Sequence, residues 1–169
     1  MIMGKAPELQ NISGWINSDP LTMNGLKGRV VFLDFWTYGC WNCQNTLPEM
    51  KKLHAKYGEE GLVIIGVHTP EFPYERKREN VERAVASAGL AYPIALDNNN
   101  TTWKLYGNHC WPRQTIIDEN GEVAYEHVGE GGYSEIEAKV VELLKASKAG
   151  MGAKEGSGKT SVRTTVRVA

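Results

Sequence analysis

Apolar positions along this chain form either continuous runs or repeats of three to four residues, and together these two patterns predict an α/β fold. Residues 30–36 form a nearly continuous apolar run, which is typical of a central strand buried on both faces. An apolar residue then recurs every third or fourth position over residues 47–57, and Gly58 stands where a helix would be capped. A second apolar run at 62–67 completes a β-α-β unit, so these two strands should be parallel.

The remaining pattern predicts a mixed sheet. The expected elements are a helix over 74–88 that stops at Gly89, a short strand at 94–96, a short helix at 102–106, strands at 114–118 and 123–127, and a last helix over 134–148. Asn120 and Gly121 separate the last two strands, and this dipeptide is typical of a tight antiparallel hairpin. The sheet should therefore combine parallel strands with one antiparallel pair.

Composition divides the chain into three segments. Residues 1–29 are rich in Gly, Asn, Ser and Pro, which predicts an irregular lead-in packed on the core. Residues 30–148 carry the periodic pattern and should form one domain. Residues 149–169 shift to Gly, Ala, Ser, Thr and basic residues, which predicts a flexible C-terminal tail.

Length and charge narrow the classes of function. The chain has 169 residues, 41% hydrophobic and 23% charged, which is typical of one globular domain. Its formal net charge of -1 offers no basic field for a phosphate backbone, so nucleic-acid binding is disfavoured. Its apolar runs are far shorter than the roughly 20 residues of a membrane span. The first residues also lack the apolar core of a secretory signal, which leaves a cytoplasmic location open.

Two of the three cysteines form a C-x-x-C pair at the predicted turn from strand to helix. If Cys40 is the N-cap of the helix, unpaired amides and the helix dipole stabilise its thiolate. Cys43 lies one turn further on the same face, where it can close a disulfide with Cys40. The alternative is half of a zinc site, for which only His109 and Cys110 offer a second close pair. The strand and helix around the pair favour redox chemistry.

Two further residues have chemistry that matches a redox pair. Asp34 interrupts an otherwise apolar strand, and burial there would raise its pKa and make it a proton acceptor for Cys43. Pro112 follows Trp111 at the entry to a strand. A cis peptide at this bond would present the backbone of Trp111 to an extended substrate, but the sequence leaves cis and trans open.

These motifs resemble the thioredoxin superfamily over about residues 20–146. They are Asp34-Phe35-Trp36, Cys40-Trp41-Asn42-Cys43, Pro48 in the following helix, and Trp111-Pro112. Residues 35–43 and 66–72 more narrowly resemble the TlpA-like, or redoxin, branch, especially the thioredoxin domains fused to DipZ-type membrane electron carriers. The resemblance implies a thioredoxin fold over residues 30–148, with a central mixed β-sheet flanked by helices. Residues 71–97 match the segment that this branch inserts between strands.

The resemblance also implies a thiol:disulfide oxidoreductase that takes part in cell redox homeostasis. Cys40 would be the attacking thiol, Cys43 the resolving thiol and Asp34 the buried acid. The residues expected to contact the substrate are Trp41, Asn42, Trp111 and Pro112, with Pro112 as the cis-proline beside the disulfide.

The sequence departs from the branch at two points. Many TlpA-like reductases carry a Glu three residues after the second cysteine, where this chain has Thr46, so Asp34 would carry the proton transfer alone. The dipeptide Trp41-Asn42 differs from the Gly-Pro of general thioredoxins. It leaves the redox potential open over about -270 to -120 mV.

The implied partners are a disulfide-containing protein substrate and an external electron donor such as a membrane thiol carrier. No metal and no cofactor beyond the redox-active disulfide Cys40–Cys43 would be needed. We expect a monomer, and the resemblance favours an extracytoplasmic location.

Three alternatives remain at this point. Cys110, two positions before Pro112, is either a packing residue or a third redox thiol. A thiol peroxidase is suggested by the T-x-x-C spacing of Thr37 and Cys40, with Arg113 as a neighbour of the thiolate, although Leu33 stands where that motif has Pro. A copper-binding carrier of thioredoxin fold would use four ligands, namely Cys40, Cys43, His109 and Cys110.

Overall fold

A seven-stranded sheet organises residues 2–155, which are the part of the chain that the computed structural model describes, with side chains described as far as Gly152. The strands are β1 (Gly4–Lys5), β2 (Trp15–Ile16), β3 (Val30–Trp36), β4 (Leu62–His68), β5 (Ile94–Leu96), β6 (Arg113–Ile117) and β7 (Glu122–Val128). The helices are α1 (Trp41–Tyr57), α2 (Arg78–Ala88), α3 (Thr101–Leu105) and α4 (Tyr133–Glu155). The strand order is β1-β7-β6-β3-β4-β5-β2, and the sheet is mixed, as the sequence pattern predicts.

Strand β3 lies at the centre of the sheet and is buried along its whole length. It pairs in parallel with β4 and antiparallel with β6. Because side chains alternate along a strand, Phe32 and Trp36 join the core cluster that contains residues of α1, α2 and α4, whereas Leu33 and Phe35 join the cluster on the other face. Burial of each such side chain contributes about 1.5–3 kcal/mol. The central strand therefore anchors both layers, and its C-terminal end carries the loop to Cys40.

The lead-in differs from the irregular segment expected for residues 1–29. It supplies β1, which pairs with β7, and β2, which pairs with β5, so it closes both edges of the sheet. Backbone pairing along an edge strand satisfies donors and acceptors that the sequence pattern does not reveal. Met23 and Leu26 of this segment are buried in the core.

Two helix boundaries also differ from expectation. Helix α1 ends at Tyr57, but the chain continues as a short 3-10 helix at Gly58–Glu60. Gly61 ends this extension in the left-handed conformation (φ 107°), so the cap lies three residues beyond Gly58. The predicted helix over 74–88 is split into a 3-10 turn at Pro73–Arg76 and helix α2, because Lys77 is extended. Helix α2 stops at Gly89, as predicted, and Gly89 adopts the left-handed conformation.

Helix α4 runs beyond the predicted boundary at Lys148 and continues to Glu155, the last residue that the structure describes. Residues 149–155 contain no proline, and each of their two glycines costs a helix only about 1 kcal/mol. The first seven residues of the predicted tail are therefore helical. The remainder of that prediction, residues 156–169, lies outside the described residues.

Candidate active site

Cys40 is the N-cap residue of α1, directly after the loop that leaves β3. Its backbone is extended (φ -91°, ψ 118°), and its Sγ accepts the N–H of Cys43 at 3.3 Å. The Cys40 N–H in turn donates to the carbonyl of Thr37 at 3.2 Å. An anion at this position is stabilised by the free amides of the first turn and by the helix dipole. The geometry therefore suits a nucleophilic thiolate at Cys40.

The two thiols of the pair differ in their exposure. Both are free cysteines in this structure, but Cys40 is half-buried and Cys43 is fully buried. Burial raises the pKa of Cys43 far above its ordinary value, and the neighbouring Cys40 and the charge of Asp34 raise it further. An external disulfide can therefore reach Cys40, whereas Cys43 needs a proton acceptor before it can react.

Asp34 is a buried carboxyl group in the middle of the central sheet, with 1% of its surface exposed. Its Oδ1 accepts one hydrogen bond, from Nε2 of Gln114 at 3.2 Å, because the two residues are direct partners in the register of β3 and β6. Burial raises the pKa of Asp34 to about 7, and the Gln114 bond opposes that rise. A carboxyl group with this pKa can accept and release a proton near neutral pH.

Thr46 takes the position at which TlpA-like reductases commonly have Glu, and it provides no acid. It is buried, and its hydroxyl donates to the carbonyl of Asn42 within the same helix at 3.0 Å.

The bond from Trp111 to Pro112 is a cis peptide, which resolves the question that the sequence left open. Strand β6 begins at the next residue, Arg113, which pairs with Phe35 near the end of β3. Pro112 therefore lies at the end of the sheet where β3 ends, which is also where the loop to Cys40 begins. The Trp111 ring stacks on Trp103 with centroids 4.2 Å apart.

The dipeptide between the cysteines is open to solvent. Trp41 is 76% exposed, and Asn42 is exposed beside it. Two more exposed aromatic rings, Phe72 and Tyr74, stack with centroids 5.7 Å apart in the segment that follows β4. Tyr38 links the loop to this pair because its hydroxyl donates to the Tyr74 carbonyl at 3.2 Å.

Cys110 and His109 are exposed in the loop that follows α3. The interpretation of Cys110 as a packing residue is therefore wrong, because its loop turns it toward solvent instead of into the core. Among residues 2–155 no group of three or more His, Cys, Asp or Glu side chains is arranged to hold a metal ion. The four ligands of the copper alternative are thus not brought together in the described part of the chain.

The side chains that suggested a thiol peroxidase are engaged elsewhere. The Arg113 guanidinium pairs with Glu126 at 2.9 Å in a buried salt bridge. The Thr37 hydroxyl donates to the carboxylate of Glu75.

Sequence reasoning missed two residues next to the site, His68 and Glu75. Glu75 is fully buried and binds Thr37 and Gly39, while Nε2 of His68 accepts the N–H of Tyr38 at 3.2 Å. Neither residue lies within a motif of ligand or catalytic spacing. The available signals are that His68 lies within residues 66–72, which resemble the TlpA-like branch, and that Glu75 lies within the segment that the resemblance identifies as an insertion.

The sequence profile of the Redoxin family matches residues 5–142. The chain belongs to the redoxin family. This redoxin is 41% identical over 169 residues to Protein DipZ of Mycobacterium tuberculosis; the match covers 98% of this chain and 24% of DipZ. It is 32% identical over 130 residues to the thiol-disulfide oxidoreductase ResA of Halalkalibacterium halodurans, covering 77% of this chain and 70% of ResA.

Solved structures agree with this assignment. A crystal structure of a thioredoxin-like superfamily protein superposes with a TM-score of 0.78 at 26% identity, covering 85% of the redoxin and 97% of that chain. The redoxin thus has the thioredoxin fold and a C-x-x-C pair, and its relative ResA is a thiol-disulfide oxidoreductase. The chain spans about a quarter of the length of the DipZ relatives. Within residues 2–155, none of the helices has the length and hydropathy needed to cross a membrane.

Proposed function

We propose that this redoxin reduces disulfides in partner proteins through Cys40 and Cys43, with Asp34 as the proton acceptor. The observation that carries the proposal is the arrangement of the pair at the start of α1. The reachable thiol is the N-cap, and the second thiol is buried one turn behind it, within the field of a buried carboxyl group.

In the first step the Cys40 thiolate attacks one sulfur of the partner's disulfide. A Cys40–partner disulfide forms, and the partner's other sulfur leaves as a thiolate that takes a proton from water. The hydrogen bond from the Cys43 N–H stabilises the attacking thiolate before this step.

In the second step Asp34 accepts the proton of Cys43, and the Cys43 thiolate attacks the Cys40 sulfur. The Cys40–Cys43 disulfide forms and the partner's second thiolate leaves, so the partner gains two electrons and the redoxin loses two. Because burial raises the pKa of Asp34 to about 7, its ionised, accepting form predominates only above that pH. We expect the second step to accelerate as the pH rises through about 7.

A new cycle requires an external dithiol that reduces the Cys40–Cys43 disulfide. The chain resembles the thioredoxin domains of DipZ-type carriers and has 41% sequence identity to DipZ over 169 residues. This similarity supports a membrane thiol carrier as the donor and an extracytoplasmic location. We also propose that the redoxin acts as a monomer and that it needs no organic or metal cofactor. The thioredoxin-like domain would also extend beyond 30–148 to include the lead-in, since the family match begins at residue 5.

We propose that the partner contacts Trp41 and Asn42 between the cysteines and the loop of Trp111 and Pro112. Two observations support this surface. Trp41 and Asn42 are exposed, and the loop of Trp111 and Pro112 lies at the same end of the sheet as Cys40.

The experiment that tests the proposal traps the first intermediate. In a Cys110→Ser background, which removes the exposed third thiol, Cys43→Ser should form a stable adduct with insulin that intact mass spectrometry detects and dithiothreitol reverses. Cys40→Ser should form no adduct. An adduct with Cys40→Ser, or insulin reduction by that variant at the wild-type rate, would contradict the assignment of Cys40.

A further inference from the structure

The carboxylate of Glu75 joins two segments that lie far apart in sequence. Its Oε1 accepts the N–H groups of Glu71 at 3.2 Å and Phe72 at 2.8 Å, both within its own segment. Its Oε2 accepts the N–H of Gly39 at 3.2 Å and the hydroxyl of Thr37, both in the loop before Cys40. All four partners donate, so a carboxylate satisfies each of them with acceptor oxygens.

His68 holds the residue between those two. Its Nε2 accepts the N–H of Tyr38 at 3.2 Å and lies 3.3 Å from the hydroxyl oxygen of Thr37. Burial lowers the pKa of His68 to about 3, so the ring stays neutral and keeps Nε2 as an acceptor. Thr37, Tyr38 and Gly39 are therefore each bound by a buried side chain from outside the loop.

The position of the loop of residues 37–39 determines the position of the Cys40 thiol. The carbonyl of Thr37 accepts the N–H of Cys40, and the Cys40 Sγ accepts the N–H of Cys43. We propose that Glu75 is a positioning residue that holds the loop of residues 37–39 and so aims the Cys40 thiolate at the incoming disulfide. This inference rests on the proposed function, since it assigns Glu75 a role only if Cys40 is the attacking thiol.

The close approach of Glu75 also explains the glycine before Cys40. A Cβ atom on Gly39 would lie 2.9 Å from Oε2 of Glu75, which is closer than real Cβ contacts. Glycine thus leaves room for the carboxylate to reach the backbone N–H.

Glu75→Gln keeps the length of the side chain but removes part of its hydrogen bonding to the loop or to the inserted segment. A glutamine has one acceptor oxygen and one donor amide. If the oxygen keeps the bonds to Glu71 and Phe72, the amide faces the N–H of Gly39, and that bond is lost. If the amide turns the other way, the segment loses its own bonds and its hold on the loop loosens.

The test is a single-turnover reaction in the Cys110→Ser background. Reduced protein is mixed with increasing concentrations of insulin, and formation of the Cys40–Cys43 disulfide is followed by quenching and mass spectrometry. The plateau rate reports attack by Cys40 together with resolution by Cys43, and the half-saturating concentration reports docking. Because a small misplacement of a nucleophile costs up to about a hundredfold in rate, we expect Glu75→Gln to lower the plateau rate roughly tenfold or more. The half-saturating concentration should change little.

Matched variants separate positioning from general damage. Thr37→Val keeps the carboxylate but removes the hydroxyl, and should lower the plateau rate, whereas Thr37→Ser should restore it. Glu79→Gln, at an exposed position on α2, is the control for charge and should behave as wild type.

Two results would overturn the proposal: a wild-type plateau rate in folded Glu75→Gln, or equal rates in Thr37→Val and Thr37→Ser. If Glu75→Gln does not fold, the Thr37 pair decides alone. Failure of the proposed function is a separate result, because Cys40→Ser would then still reduce insulin.

Discussion

Asp34 and Glu75 are both fully buried carboxyl groups next to the candidate redox pair, yet their surroundings differ. Glu75 accepts hydrogen bonds from four donors, two of them in the loop before Cys40. Asp34 accepts one, from Gln114. Burial disfavours a charged carboxylate, and hydrogen bonds from donors offset that cost. The carboxylate of Glu75 therefore binds two segments together, whereas the burial of Asp34 is offset by one donor only.

This comparison teaches that burial alone does not identify a proton carrier. The pKa of Asp34 is raised to about 7 because desolvation outweighs its single hydrogen bond. Substitutions that remove each carboxyl group should consequently have opposite effects on the free energy of unfolding at pH 8. At that pH the buried charge of Asp34 destabilises the fold, whereas the four hydrogen bonds of Glu75 stabilise it.

The largest expected effect is that of Glu75→Leu. It removes the acceptor of four donors, of which the Thr37 hydroxyl is buried and the N–H groups are partly buried, so the free energy of unfolding should fall by about 3 kcal/mol or more. Urea unfolding at pH 8 measures this change. Glu79→Leu, at an exposed helix position, should stay within about 0.5 kcal/mol of wild type. A loss below about 1 kcal/mol for Glu75→Leu would mean that Glu75 does not stabilise the fold, and it would then not differ from Asp34 in the way described.

Asp34→Asn should change stability in the other direction. An acid whose pKa is raised in the folded state binds more protons there than in the unfolded state, so wild-type stability falls as the pH rises from about 4 to about 7 and then levels off. The rise from 3.8 to about 7 corresponds to at most about 4 kcal/mol. Asp34→Asn should therefore be more stable than wild type at pH 8 by a few kcal/mol and nearly equal to it at pH 4.

Urea unfolding of both proteins across this pH range tests the prediction through their difference, which cancels the other titrating groups. Asp19→Asn, at an exposed position, is the control. A difference that does not grow between pH 4 and pH 7 would mean that Asp34 is not charged at a cost, and its role as proton acceptor would fall with it.

Gln114→Leu sharpens the same comparison with a smaller change. It removes the single donor that favours the ionised form of Asp34, so the pKa of Asp34 should rise by about one pH unit. The midpoint of the pH profile for insulin reduction should move upward accordingly. An unchanged midpoint in the folded variant would mean that the bond does not tune Asp34.

The smallest effect is expected for Cys110→Ser. Because Cys110 is exposed, its replacement should change the free energy of unfolding by less than about 0.5 kcal/mol. The redox equilibrium of Cys40 and Cys43 with glutathione should also stay the same. A shifted equilibrium would support Cys110 as a third redox thiol.

Local patterns predicted much of the fold and part of the site. The apolar run of β3, the helical spacing of α1 and the stop of α2 at Gly89 all agree with the structure. Asp34 lies buried where an acid in an apolar strand would be expected. Such features depend on neighbours in sequence, so the period and the capping residues reveal them.

Features made by distant residues were missed or predicted wrongly. The edge strands at Gly4–Lys5 and Trp15–Ile16 exist because β7 and β5 offer free backbone groups. The exposure of Cys110 follows from how its loop leaves α3, and nothing in its neighbours in sequence indicates it.

The sequence by itself determined the α/β class, the redox pair at the start of a helix, and a buried acid in the strand before it, because each of these is encoded by residues close together in the chain. Only the tertiary structure decided how the acids differ. Gln114 reaches Asp34 from 80 positions away, and Glu75 reaches Thr37 from 38 positions away. The number of donors around a buried carboxyl group is set by sheet register and by the path of the inserted segment, which only the folded chain brings together.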